Sequence, residues 1–130
     1  MRRRRSGLHF TAALTTLAAL AGCGDGTPSV SSSDAEATVH GVISIDGKPM
    51  AGGEVNFDPS NVNRKSAGPG VGKIGPDGAY TVKTLAGDNR VTVRSPQVNK
   101  NRKLQYNSRA FEAAAGDNTL DFDLTAPAAP

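Results

Sequence analysis

The sequence predicts an all-β fold: a single antiparallel β-sandwich of about seven short strands. Three observations predict it. Apolar residues recur with period two in several short runs, as on a sheet with one buried face. Turn residues rich in Gly, Pro, Asp and Asn separate these runs at regular intervals. No run is long and periodic enough for a convincing helix, and Ala113-Ala114-Ala115 is too short to count as one. A closed barrel is the main rival architecture.

Each strand has its own signal. Val39, Gly41, Ile43 and Ile45 alternate with His40, Val42, Ser44 and Asp46. Asp46-Gly47-Lys48-Pro49 turns the chain. Val55 and Phe57 continue the alternation, and Pro59 ends it. Asn61 to Gly72 reads as a polar loop, followed by a short strand around Val71 to Ile74 that its glycines weaken. Pro76-Asp77-Gly78 predicts a hairpin, with Tyr80 and Val82 inward on the next strand. After a turn at Leu85-Ala86-Gly87-Asp88, Val91 and Val93 face inward. Pro96 to Lys103 reads as a second polar loop. Leu104, Tyr106, Phe111 and Ala113 are the next expected buried positions. Gly116-Asp117-Asn118 leads into a last strand in which Leu120, Phe122 and Leu124 alternate with Asp121 and Asp123.

The residues ahead of this domain have a different composition. Arg2 to Arg5 are followed by an apolar stretch from Leu8 to Leu20, too short to span a bilayer, which needs about 20 residues. Leu20-Ala21-Gly22-Cys23 stands at its end. In this context the four residues resemble the bacterial lipoprotein box, with Leu20, Ala21 and Gly22 as the signal-peptidase recognition residues. The resemblance implies that Cys23 carries lipid through its sulfur and becomes the N-terminus. It implies an anchor of two or more acyl chains, because one chain binds only marginally. Cys23 is the only cysteine, so no internal disulfide can form. The expected organisation is 1–22 signal peptide, 23–36 lipidated cysteine and flexible linker, 37–125 sandwich and 126–130 tail. The expected location is the cell envelope, periplasmic or surface side.

The formal net charge of +3 is misleading under this division. Four of the fifteen basic residues are Arg2 to Arg5, so eleven remain from Cys23 onward against all twelve acidic residues. A slightly acidic chain lacks the basic stripe of a nucleic-acid binder, and no nucleic-acid partner is expected.

Three stretches carry a second resemblance. Gly41 to Phe57, with Gly47-Lys48-Pro49 and Val55-Asn56-Phe57, is similar to the opening of carboxypeptidase regulatory-like domains. These are transthyretin-like and related to the Cna protein B-type sandwich. Asp77-Gly78-Ala79-Tyr80-Thr81-Val82 resembles their central hairpin, and Gly116 to Leu124 their closing strand. Arg90 departs from the pattern, which has an aromatic residue at that position. The resemblance implies a non-enzymatic accessory sandwich. Some relatives of the Cna protein B type carry a Lys–Asn isopeptide bond, for which Lys73 or Lys83 with Asn118 would be the pair here.

No catalytic constellation is legible, and no cofactor or metal is expected. His40 is the only histidine after Cys23, which rules out an H-E-x-x-H motif. Asp121 and Asp123, with Asp46 or Glu54, could hold a cation; a solvated outer face, which also discourages sheet-edge association, explains them more cheaply. Lys100, Arg102 and Lys103, with Arg94 and Arg109, form a basic loop. The expected role is a structural or protein-binding module of the envelope. A carbohydrate or wall-polymer binding module is the alternative, which the absence of Trp disfavours.

Overall fold

The computed structural model describes residues 31–125. These build a sandwich of two sheets, and the predicted fold class is correct. Its first strand, β1 (Glu36–Ile45), is the longest, and it organises one sheet. Ala37, Val39 and Ile43 are buried, as the alternation requires, and His40 and Val42 face outward. Asp46 and Gly47 both have positive φ (51° and 74°), the geometry of a tight type I′ turn. The turn brings β2 (Lys48–Pro49) back against the end of β1.

The chain then crosses to the second sheet. Here β3 (Glu54–Asp58) pairs antiparallel with β4 (Gly70–Lys73). It returns to the first sheet as β5 (Ala79–Leu85), antiparallel to β1. The turn at Pro76-Asp77-Gly78 is tight, with Gly78 N–H donating to Gly75 O, but it is not the expected hairpin. It joins strands of different sheets. The glycines of β4 have a role that a propensity argument misses. A Cβ at Gly70 would lie 2.0 Å from Lys83 O, and one at Gly72 2.7 Å from Thr81 O. Their absence lets β4 lie directly on the β5 backbone and close one edge of the sandwich.

From β5 the chain crosses again into β6 (Gly87–Arg94), which pairs with β3 on one side and β7 (Ser108–Ala113) on the other. Arg90 faces outward while Val91 and Val93 are buried, so the departure at Arg90 leaves the strand register intact. The last segment departs from the antiparallel expectation. Both β8 (Gly116–Thr119) and β9 (Phe122–Asp123) run parallel to β1. β7 ends in the second sheet beside Gly87, at the end where β1 begins. The chain therefore enters the first sheet from that end and must run in the direction of β1.

Phe57 lies at the centre of the core. Its ring meets Tyr80 and Phe111, each at 6.1 Å between centroids. Val39, Ile43, Met50, Val55, Val82, Val91, Val93 and Phe122 surround these rings. Two expectations about the 95–107 connection fail. Its first part is a short helix, α1 (Pro96–Lys100), with Ser95 as N-cap, Pro96 in the first turn and Val98 buried in the core. Ser-Pro at a helix start is a recognised signal, but five residues leave no periodicity to read. Tyr106, expected inside, is 86% exposed. Asn107 is the cause. Its side chain accepts from Val93 N–H (2.7 Å) and donates to Val93 O and Leu104 O. It thus takes the place of a strand partner and leaves Tyr106 projecting outward.

Candidate functional site

Residues 20 to 23, including the proposed lipid-bearing Cys23, lie outside the described residues. The described chain begins beyond them and is already docked at Ser31. Ser31 O accepts from Asn61 Nδ2 (2.9 Å), and Ser33 O accepts from Arg64 Nη1 (2.8 Å). The last part of the expected linker is therefore held against the end of the sandwich where β1 starts. Arg64 is the residue the sequence reading missed. It sits in the expected polar loop yet is only 5% exposed, and its guanidinium also donates to Ala86 O and Asp88 O. No local pattern marks it, because its acceptors are backbone groups from distant strands.

Asp121 and Asp123 are occupied by structural hydrogen bonds. The last strand breaks at Leu120–Asp121, opposite Gly41. Asp121 Oδ1 accepts from Val42 N–H (2.7 Å), while Leu120 O accepts from the Tyr80 hydroxyl (2.7 Å). Burial pushes the Tyr80 phenol well above its usual range, with the Asp121 charge adding to the effect. Asp123 accepts from the Thr125 hydroxyl and N–H, from Gly47 N–H, from Asp46 N–H and from Ser44 Oγ. The Thr125 hydroxyl first, then the Thr125 and Gly47 amides and Ser44, hold its carboxyl well below the usual carboxylate range; partial desolvation opposes them. Glu54 lies in the other sheet, opposite Arg94 and Lys73. Among the described residues no group of three or more His, Cys, Asp or Glu is placed to hold a metal ion. His40 is exposed, with its Nε2 3.1 Å from Thr119 Oγ1. Lys73 and Lys83 are exposed and lie in different sheets, while the Asn118 amide is bonded to Ala114 and Gly116 within its own turn. The structure therefore does not assemble the isopeptide set.

Asp123 has a pH consequence. Its folded-state pKa is depressed, so its contribution is fully present above the unfolded carboxylate value of about 3.9. The contribution is lost as pH falls below that value towards the folded one. Asp58 adds in the same direction, because the Ser60 hydroxyl and amide, and then Arg90, lower its pKa. Urea midpoints taken between about pH 5 and pH 3 are expected to fall steeply for the native chain. They should fall less steeply for Asp123→Asn, which should also be weaker at neutral pH because its amide NH2 would face donors. Parallel acid limbs for the two proteins would contradict this assignment.

Besides recesses beside Val42, Pro49 and Phe122 and beside Gly70 and Leu85, two grooves lie on the outer side of the second sheet. One groove of about 390 Å³ is lined by Asp58, Ser60, Asn61, Asp88, Arg90 and Ala110, among others. The other, about 540 Å³, is lined by Thr92, Arg94, Asn99, Gln105, Tyr106 and Asn107. Ser108 borders both. The predicted basic loop divides accordingly. Arg94 lines the larger groove, and Lys100, Arg102 and Lys103 are exposed on the connection that forms its rim. Arg109 does not join them. It turns inward, with its guanidinium carbon 5.1 Å from the centre of the Phe122 ring, and donates to Asp123 O.

The larger groove lies far from the entry segment. β6 starts at the end where Ser31 docks and runs eight residues to Arg94, roughly 25 Å at strand rise. Ser95 there meets Met50, which follows the hairpin at the far end of β1.

No family model matches the chain, and no curated protein matches it. Among solved structures it is similar to a DUF3823 family protein from Parabacteroides merdae, at 16% identity and a TM-score of 0.51. The match covers 68% of this chain and 45% of that one, so the chain spans less than half the length of that protein. At this identity the likeness carries the fold alone. It supports the two-sheet sandwich independently of the strand reading.

Proposed function

We propose that this chain is a non-enzymatic binding module of the bacterial cell envelope, tethered through acylated Cys23, that engages its partner through the groove beside Tyr106. The carboxypeptidase regulatory-like resemblance, carried by Gly41 to Phe57 and Asp77 to Val82, belongs to the same proposal. The observation that carries the reading is Tyr106, a large aromatic side chain 86% exposed beside a groove of about 540 Å³. Tyrosine and arginine are over-represented among residues that dominate binding energy, and Arg94 lines the same groove. The tether enters at the opposite end, so the groove is presented away from the anchoring membrane.

Two measurements test the proposal. The intact mass of the protein extracted from the envelope should start at Cys23 and include acyl chains; a mass without lipid rejects the tether. A photo-crosslinking residue at position 106 of the full chain in living cells should give a discrete adduct. The same residue at Lys83, exposed on the other sheet, should not. Equal labelling at both positions, or none at 106, rejects the groove.

A further inference from the structure

We infer that the Tyr106 groove takes an anionic glycan. The inference rests on the binding-module reading above and names the ligand class of the same site. Between Asn89 and Phe111 the chain carries six basic residues and no acidic one. Arg109 is turned inward, and Arg90 opposes Asp58 across the sheet and, after the Ser60 hydrogen bonds, helps to lower its pKa. Arg94 opposes Glu54, but Lys73 flanks the same carboxylate from the other side, so that row keeps a net positive charge. Arg94, Lys100, Arg102 and Lys103 remain, all exposed and all at the end remote from the entry segment. No carboxylate lines the larger groove, whereas the smaller one contains Asp58 and Asp88. The electrostatic complement of the larger groove is therefore an anion.

Its other groups suit a sugar. Tyr106 offers an exposed ring against which the apolar face of a pyranose packs, and its hydroxyl keeps the rim wet. Asn99 presents an amide that both donates and accepts, as sugar hydroxyls require, and Gln105, whose NH2 also reaches Arg102 O at 3.4 Å, adds its side-chain oxygen. Asn107 is excluded from this role because Val93 and Leu104 use its side chain. Arg94 supplies the planar fork that recognises a carboxylate or phosphate. A protein partner would also find apolar lining here, around Tyr106 and Val93, but the cationic rim without a lining carboxylate favours an anion. The anchoring lipid surface is less well matched because the groove is carried at the far end of the domain.

The test uses the acylated full chain in detergent micelles, with binding followed by the tyrosine signal and by sedimentation. The anionic probes are polygalacturonate, which carries carboxylates, and a purified teichoic acid, which carries phosphates. The controls are neutral dextran, poly-glutamate and micelles doped with phosphatidylglycerol. One anionic glycan should bind, more weakly as salt rises, and which of the two binds identifies the anion. Tyr106→Ala should weaken it about tenfold, and Arg102→Gln a few-fold. Both side chains are exposed, so the thermal melts should not change. Equal binding of poly-glutamate with no effect of Tyr106→Ala would reduce the surface to bare charge and overturn the inference. Preference for the lipid micelles, or binding of neither glycan, would also overturn it. A crosslink from position 106 to a protein, with no glycan binding, removes the glycan and leaves the binding module.

Discussion

Replacing Gly41 by alanine is expected to destabilise the sandwich by at least about 3 kcal/mol, the upper range for overpacking a site that cannot relax. Gly41 has no unusual backbone angle that alanine would strain. The conflict is with the neighbouring chain. An added Cβ would lie 2.1 Å from Leu120 O, 2.6 Å from Leu120 C and 2.8 Å from Asp121 Oδ1. None of these atoms can move alone. Leu120 O holds the Tyr80 hydroxyl, Leu120 N–H donates to His40 O at 2.9 Å, and Asp121 Oδ1 receives Val42 N–H. A shift large enough for a methyl group would break this set and leave Tyr80 with a buried, unpaired hydroxyl. Urea denaturation of Gly41→Ala beside Val42→Ala, its partly exposed neighbour, provides the check. A loss for Gly41→Ala within about 0.5 kcal/mol of the control would show that the edge is more plastic than the geometry allows.

Arg64→Ala is expected to destabilise the domain by about 3 kcal/mol, in line with the loss of three charge-assisted hydrogen bonds, one to a buried acceptor and two to partly buried ones. Ser33 O and Ala86 O each lie 2.8 Å from Nη1, and Asp88 O lies 3.2 Å from Nη2. These acceptors come from the entry segment and from both sides of the turn between β5 and β6. Arg64→Lys should not restore stability, because a single ammonium on a flexible stem cannot reproduce the planar fork. The loss should also have a place. Hydrogen exchange should quicken first at residues 31–35 and 86–88, while the β3–β6 ladder stays protected until global unfolding. Uniform acceleration would mean that Arg64 contributes only bulk packing. Released exchange at 31–35 would instead identify it as the latch that holds the entry segment at the end remote from Tyr106.

Much of this architecture was legible because alternation is a local property. Period two in Val39 to Ile43, in Val55 and Phe57, and in Val91 and Val93 identified the strands and their buried faces. Asp46-Gly47 identified its turn for an equally local reason, since both residues must take positive φ. The site was legible only in its charge. The basic stretch from Arg94 to Lys103 was visible, but Arg109 was grouped with it although it covers Phe122. The sequence pattern places Tyr106 with Leu104, Phe111 and Ala113 among the buried positions. The opposite outcome depends on Asn107, whose amide satisfies the β6 backbone in place of a strand.

By itself, then, the sequence determined the fold class, the position of most strands, the faces they bury and the composition of the segment ahead of them. These follow from side-chain polarity and backbone preference, which each residue carries with it. The tertiary structure decided which strands pair. It set β8 and β9 parallel to β1, and it turned the Pro76-Asp77-Gly78 hairpin signal into a crossing between sheets. It also decided that Gly70 and Gly72 close an edge, that Asp121 and Asp123 serve as backbone acceptors, and that Arg64 is buried. Each of these depends on a backbone atom tens of residues away. A carbonyl or an amide is chemically alike at every position, so no side-chain pattern can announce which one will arrive.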